Sequence, residues 1–268
     1  MIVLGINVSH NGSVALIRDG KVEVAIQAER LSRVKRQALG LEPKAELMKE
    51  CVDYCLKSAG VEHTDIESIA ISTPWAVKKI SDADLFTSIG GIPNKYKGTF
   101  YVPHHFSHME YIVHFGKLRP GIVLVVDGSG SLEADRDLFN IDEKLHPQII
   151  DYVHFAGKEV ISAYWFDGVE STLIYRSSPA IAPIEGYNKD SAGLLQSIGH
   201  YWEWASMYFF GSKNGAGKVM GLAAFGDKYS LKGENILKIG EKGNLQVDYS
   251  AIRSRFTEPN IFAHDLSN

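Results

Sequence analysis

The stretch Gly-Ile-Val-Leu-Val-Val-Asp-Gly-Ser-Gly at 121–130 limits what this chain can become more than any other. Its unbroken apolar run, mostly β-branched, predicts a strand buried on both faces, with Asp127 at its carboxyl end and a break at Gly128. The glycines permit close backbone approach, and successive N–H groups in such a turn form an anion nest. Just upstream stands Tyr-Val-Pro-His-His-Phe-Ser-His at 101–108. Pro103 suits a helix start, where its missing N–H costs nothing. The apolar positions Tyr111, Ile112 and Phe115 continue at helical spacing. His104 and His108 then lie one turn apart on one face. Two imidazoles and the Asp127 carboxylate are ligand types for a borderline divalent metal. The first helical turn also favours the neutral imidazole that a metal needs. The same residues also fit helix capping and an ordinary strand-to-turn junction, so metal chemistry, phosphate chemistry and plain structure all stand open.

With 268 residues and 45% hydrophobic content the chain can build one large or two moderate cores. A net charge of −4 gives no footprint for nucleic acid or a membrane surface. Cys51 and Cys55 fall four apart in one apolar helical stretch, which reads as packing and implies no disulfide framework. The start Met-Ile-Val-Leu-Gly-Ile-Asn has no basic region, and no apolar run approaches a membrane span, so the expected location is cytoplasmic.

In chain order, Ile2 to Val8, Ser13 to Ile17 and Lys21 to Gln27 read as strands, with Asp19-Gly20 as a hairpin turn of the favoured Asp-Gly type. The basic stretch from Glu29 to Arg36 reads as a solvated surface segment, or as a holder of phosphate or carboxylate. Pro43 is expected to start a helix to about Ser58, with Leu47, Cys51, Tyr54 and Cys55 on its buried stripe. Ile66 to Ser72 and Phe100 to Val102 are expected strands before the histidine helix. The result is one lobe of mixed sheet with helices on its faces. A second lobe opens with Ile122 to Asp127. Ile149 to Phe155, Val160 to Trp165 and Ser171 to Arg176 continue it as strands. Pro179 to Asp190 is expected as a loop, and Ser191 to Phe210 as a long aromatic-rich helix. The run 214–222 is a flexible loop leading into a helix or strand. Its Gly217-Lys218 lacks Walker spacing. The expected division is 1–118 for the first lobe and 119–268 for the second, which looks cut down.

Five ordered motifs carry a resemblance. They are Gly-Ile-Asn-x-x-His-Asn-Gly-Ser-x-Ala-Leu-Ile-x-Asp-Gly at 5–20, Ala-Glu-Arg-Leu-Ser-Arg-x-Lys at 28–35, His-His-x-x-His at 104–108, Val-Asp-Gly-Ser-Gly at 126–130 and Gly-Lys-Val-Met-Gly-Leu-Ala-Ala-Phe-Gly at 217–226. Together they resemble the amino-terminal, TsaD-like domain of the carbamoyltransferases of the nodulation and antibiotic-tailoring type (NodU/CmcH). The resemblance implies an actin-like (ASKHA), two-lobed ribonuclease-H-like fold with nucleotide and metal between the lobes. It implies an ATP-dependent transfer from carbamoyl phosphate, through carbamoyl adenylate, to a hydroxyl of a small-molecule acceptor. Carried over by motif, His104, His108 and Asp127 match metal ligands, the metal being iron or another divalent ion. His10 matches the histidine beside the carbamoyl group. Arg33 and Lys35 match a motif near the acceptor. Gly128, Ser129 and Gly130, with Lys218, match the nucleotide-binding parts.

Two departures follow from the same comparison. The chain has Asn11 where the family usually has aspartate after the histidine. A last metal-ligand aspartate, a late glycine-rich adenosine motif and the YrdC-like carboxyl domain have no counterpart, so this chain alone is expected to be an incomplete catalyst, needing a YrdC-like domain in cis or in trans. Two other readings remain: an inactive metal- or nucleotide-binding module acting through a partner, and a threonylcarbamoyl-transferring tRNA-modification protein, which the acidic charge disfavours.

Overall fold

Residues 2–27 fold as expected from their turn chemistry. β1 (Ile2–Asn7), β2 (Ser13–Arg18) and β3 (Lys21–Gln27) are consecutive antiparallel neighbours. Asp19 and Gly20 both take positive φ, 50° and 77°. That is the backbone a two-residue hairpin needs to match strand twist. The structure, a computed structural model, describes residues 1–40, 45–72, 81–116, 118–132, 144, 157–178, 198–212, 215–227, 237–239 and 245–247. The chain divides into two units, Met1–Leu118 with Gly130–Lys144, and Arg119–Ser129 with Leu145–Asn268.

In the first unit β4 (Ser68–Ser72) and β5 (Gly98–Val102) add in parallel beside β1. The five-stranded order β3-β2-β1-β4-β5, with one antiparallel and one parallel half, is that of a ribonuclease-H-like lobe. Alternation of side chains sends Leu4, Ile6, Val14 and Leu16 to one buried face. A short helix α1 (Ala28–Ser32) follows β3, and the longer α2 (Glu46–Ala59) covers that face. The buried stripe of α2 is Met48, Cys51, Val52, Cys55 and Leu56. It differs from the expected one: Tyr54 is exposed and Leu47 only partly covered, because the helix is rotated to put Met48 and Val52 inward. Cys55 Sγ donates to Val14 O at 3.6 Å, and burial pushes both thiols up to about 11, which fits packing. The expected helix start at Pro43 lies outside the described residues. Helix α3 (Asp82–Ile89) starts where Ser81 Oγ accepts from Asp84 N at 3.1 Å, and ends at Gly90 in the left-handed region. Among the described residues no helix is long and apolar enough to cross a membrane.

The edge between β1 and β4 is closed by a carboxylate. Glu67 accepts from Lys97 Nζ at 2.6 Å and from Ile2 N at 3.0 Å. The Lys97 bond, then the Ile2 N–H, lower its pKa to about 2. A depressed folded value means that this carboxylate supports the fold at neutral pH and ceases to as pH falls from about 4 towards 2. Glu67→Gln is therefore expected to lower stability at pH 7 and to flatten its decline over that window. Urea midpoints at pH 7, 4 and 3 for both proteins check it.

In the second unit β6 (Gly121–Val126), β7 (Ile161–Phe166) and β8 (Ser171–Ser177) form an antiparallel sheet in that order. Here the expectation of a strand buried on both faces fails. Val123 and Val125 are buried, whereas Ile122 and Leu124 are each 63% exposed within this structure. Among the described residues β6 pairs with β7 alone, in an antiparallel sheet, which needs only one covered face. Helix α5 (Ile198–Phe210) begins within the expected helix, whose part at 191–197 lies outside the described residues, as do the expected strand at 149–155 and the loop at 179–190. Helix α6 (Ala216–Ala223) packs with α5, and β9 (Leu237–Ile239) pairs with β10 (Leu245–Val247).

Candidate functional site

Helix α4 (His104–Phe115) follows β5 directly, with Pro103 at its N-cap in extended geometry. Sequence spacing alone aligns residues 104 and 108, and the packing fixes them. Ser131 Oγ accepts from the His104 backbone N at 2.9 Å, and Ser107 Oγ donates to His104 O at 2.7 Å. The Ser72 and Ser107 hydroxyls meet at 3.1 Å, tying α4 to the end of β4. The result is that His104 Nε2 and His108 Nε2 lie 3.2 Å apart, with His104 buried and His108 exposed. Two nitrogens about 2.0–2.1 Å from one tetrahedral ion stand about 3.3 Å from each other, so the spacing fits a shared metal. His105 is fully buried, its ring 6.3 Å from that of His104.

Asp127 follows β6 in the second unit. Its N–H donates to Val160 O at 3.0 Å, and its Oδ1 accepts from Gly128 N at 2.6 Å. The first N–H of the Asp-Gly-Ser-Gly turn is thus held by the carboxylate beside it. The turn is held from the other side by Gly199, in the first turn of α5. A Cβ at Gly199 would lie 2.4 Å from both Gly128 N and Cα. Lys218 is exposed on α6, its ammonium 5.5 Å from the centre of the Phe210 ring.

His10 is exposed on the β1–β2 loop. Ser9 N donates to Asn7 Oδ1 at 3.1 Å, and Asn11, at φ 60°, sets its amide nitrogen 3.2 Å from His10 Nδ1. An amide nitrogen only donates, so in this arrangement the neutral ring carries its proton on Nε2. The loop is pinned to the basic segment: Gly12 N donates to Gln37 O and Ala28 N to Gly12 O, each at 2.8 Å. A Cβ at Gly12 would sit 2.6 Å from Leu39 N, so this contact requires glycine. Arg33 and Lys35 are exposed, Arg33 in the left-handed C-cap of α1. The fold thereby brings His10 and the 28–37 segment together, and His104 to His108. Sequence reasoning overlooked Gly12, Ser107, Ser131 and Gly199. Only the two glycines carried a usable signal, one after a strand and one inside a helical stretch.

The sheet face that α4 shares also holds a groove of about 870 Å³, bordered by Gly5, Ala15, Ile17, His104, His108 and Tyr111 among others.

Residues 2–81 match the family model described as carbamoyltransferase N-terminus. The nodulation protein NolNO of Sinorhizobium fredii is 28% identical over 142 residues, 45% of this chain and 20% of that protein. Nodulation protein U of Bradyrhizobium diazoefficiens is 24% identical over 220 residues, 78% of this chain and 33% of that protein. The chain thus spans a fifth to a third of the length of these relatives. Among solved structures, YeaZ from Pseudomonas aeruginosa aligns at 12% identity and TM-score 0.34, covering 71% of this chain and 72% of that one. A putative N-acetylglucosamine kinase from Porphyromonas gingivalis aligns at 9% identity and TM-score 0.29, covering 67% of this chain and 48% of that one. Over residues 2–81 this chain is thus similar to the carbamoyltransferase amino-terminal family, and over longer spans to the two nodulation proteins.

Proposed function

We propose that this chain is the TsaD-like part of an O-carbamoyltransferase, which moves a carbamoyl group from carbamoyl phosphate, by way of carbamoyl adenylate made with ATP, to a hydroxyl of a small-molecule acceptor. The observation that carries the reading is the carbamoyltransferase match over residues 2–81, which contains the His10 loop and the basic segment tied to it. His104 and His108, with Asp127 as third ligand, would hold a divalent ion, iron by family resemblance. The Nε2 pair at 3.2 Å supports this. Such an ion supplies charge neutralisation for phosphate and polarisation of a carbonyl oxygen.

The remaining work falls to the chain's own residues. With the Asn11 nitrogen on Nδ1, His10 donates from Nε2, as a partner for a carbamoyl oxygen would require. If the Asn11 amide turns its oxygen to Nδ1, the proton moves there and Nε2 becomes the base for the attacking hydroxyl. Arg33 and Lys35 stand exposed on the segment that Gly12 pins, and would meet anionic parts of donor or acceptor. The nucleotide would use the 128–130 turn and Lys218.

The test supplies the chain with a YrdC-like domain, ATP, carbamoyl phosphate and a panel of hydroxyl acceptors, and follows carbamate formation by mass spectrometry. Loss of about a hundredfold or more in kcat is expected for His10→Ala, in the range of general acid–base catalysis. Transfer that is absent in the full assembly, or indifferent to His10, sinks the reading.

A further inference from the structure

Two arginines in one short stretch hold a backbone that arginine disfavours. Arg33 and Arg36 both lie in the left-handed region, at φ 60° and 59°. A Cβ makes that region costly for most residues, glycine and asparagine being the usual occupants. Arg36 is also the third residue of a turn that Gln37 N closes by donating to Val34 O at 3.3 Å. That place calls for glycine or asparagine when φ is positive. Strain of this kind persists only where neighbouring groups over-determine it. With five residues, α1 is too short to impose it alone.

One residue accepts from both strained amides. The Glu29 carbonyl takes the Arg33 N–H at 3.0 Å, and its Oε2 takes the Arg36 N–H at 3.1 Å. The side chain is folded back over its own segment and is only 23% exposed. The neighbouring Arg30 guanidinium is farther away, 3.7 Å from Oε1. A backbone N–H donating to a carboxylate makes a charge-assisted bond, stronger than a neutral one. Beyond Arg36 the same stretch meets the His10 loop. Asn11 N donates to Arg36 O at 3.5 Å, and Gly12 N to Gln37 O at 2.8 Å. The Asn11 amide nitrogen is in turn 3.2 Å from His10 Nδ1. A short relay of contacts thus joins the Glu29 carboxylate to the imidazole.

We infer that Glu29 is a positioning residue for His10: its carboxylate holds the Arg36 turn in the left-handed geometry from which the His10–Gly12 loop hangs. It acts through the backbone at 36–37 and not on the ring. Without an acceptor at Arg36 N, the turn relaxes towards right-handed backbone. That carries the Arg36 and Gln37 carbonyls away from the Asn11 and Gly12 amides. His10 then keeps its chemistry and loses its aim. The consequence for catalysis rests on the carbamoyl-transfer reading, whereas the hold on the loop does not.

Amide hydrogen exchange on the purified chain, followed by NMR, reads the hold directly. In Glu29→Ala the Gly12 and Arg36 amides should exchange at least about tenfold faster, while amides of β1, β2 and β4 keep parent rates. Glu29→Gln keeps an acceptor oxygen and should stay within about threefold of the parent. The second readout is transfer in the full assembly with a YrdC-like domain, ATP, carbamoyl phosphate and an acceptor. There Glu29→Ala should lower kcat about ten- to a hundredfold with KM for carbamoyl phosphate nearly unchanged. Glu29→Gln should retain most of kcat. A carboxylate that only balances its basic neighbours gives the opposite pattern: Glu29→Gln is as harmful as Glu29→Ala, and the loss lies in KM for the anionic donor. That result overturns the inference. So do parent exchange rates at Gly12 in Glu29→Ala, and so does loss of protection throughout the core strands, which marks a plain stability residue. Equal kcat for Glu29→Ala and parent in an assembly that transfers removes this inference alone. Faster Gly12 exchange in Glu29→Ala, with no transfer by the parent assembly, removes only the carbamoyl reading.

Discussion

Gly199→Ala should be among the most damaging single-methyl changes in the second unit. The new Cβ would stand 2.4 Å from Gly128 N and Cα, and 2.7 Å from Asp127 C. All are backbone atoms, so no side-chain rotation relieves the overlap. Either α5 retreats or the Asp127–Gly128 turn moves. Overpacking of this kind costs about 3 kcal/mol at its upper range, and the turn carries a candidate metal ligand and the candidate phosphate nest. Tryptophan fluorescence in a urea titration reports it, because Trp165, Trp202 and Trp204 all belong to the second unit. Gly217→Ala is the control. It sits within α6 with nothing inside 4 Å of a new Cβ, and helix propensity predicts a gain of up to about 1 kcal/mol. Equal midpoints for Gly199→Ala and the parent would mean that the turn is not held by α5.

The second large effect is on metal content. The parent chain is purified, treated with chelator, reloaded with iron(II) or zinc and analysed for metal after desalting. His108→Ala is expected to abolish retention, because it removes one of the two imidazoles whose Nε2 atoms meet at 3.2 Å. His108 is exposed, so its replacement should leave the urea midpoint nearly unchanged. His105→Ala should behave in the opposite way. Its side chain is fully buried, so truncation should cost about 2–3 kcal/mol while metal is retained. Asp127→Asn should weaken retention if that carboxylate is the third ligand. Metal kept at parent level in His108→Ala removes the centre of the proposal.

Much of the first unit was legible because its information is local. Apolar-rich stretches at 13–18 and 21–27, with an Asp-Gly pair between them, specify a hairpin whatever surrounds them. The i, i+4 spacing of His104 and His108 places both on one helical face for the same reason. The second unit was less legible. The run 122–126 is uniformly apolar and was read as buried on both sides, yet it alternates between buried and exposed. Composition cannot say whether a sheet face has a covering layer, since that depends on elements distant in sequence. The helical spacing of Tyr111 and Phe115 likewise says nothing of cover, and in the structure both rings are exposed.

What the sequence by itself determined is thus the five strands of the first unit with α2 and α4, the resemblance of residues 2–81 to the carbamoyltransferase amino-terminal family, and the pairing of the two imidazoles. Each depends on residues a few positions apart, or on motif order along the chain. Tertiary structure alone decided that Gly12 and Gly199 are close-approach points and that Ser131 holds the start of the histidine helix. It alone decided that Gly5 lies in the floor of a groove beside α4. Each of these is a contact between segments separated by roughly ten to seventy residues. Such contacts arise from the free energy of packing whole elements together, and no short window of sequence encodes that.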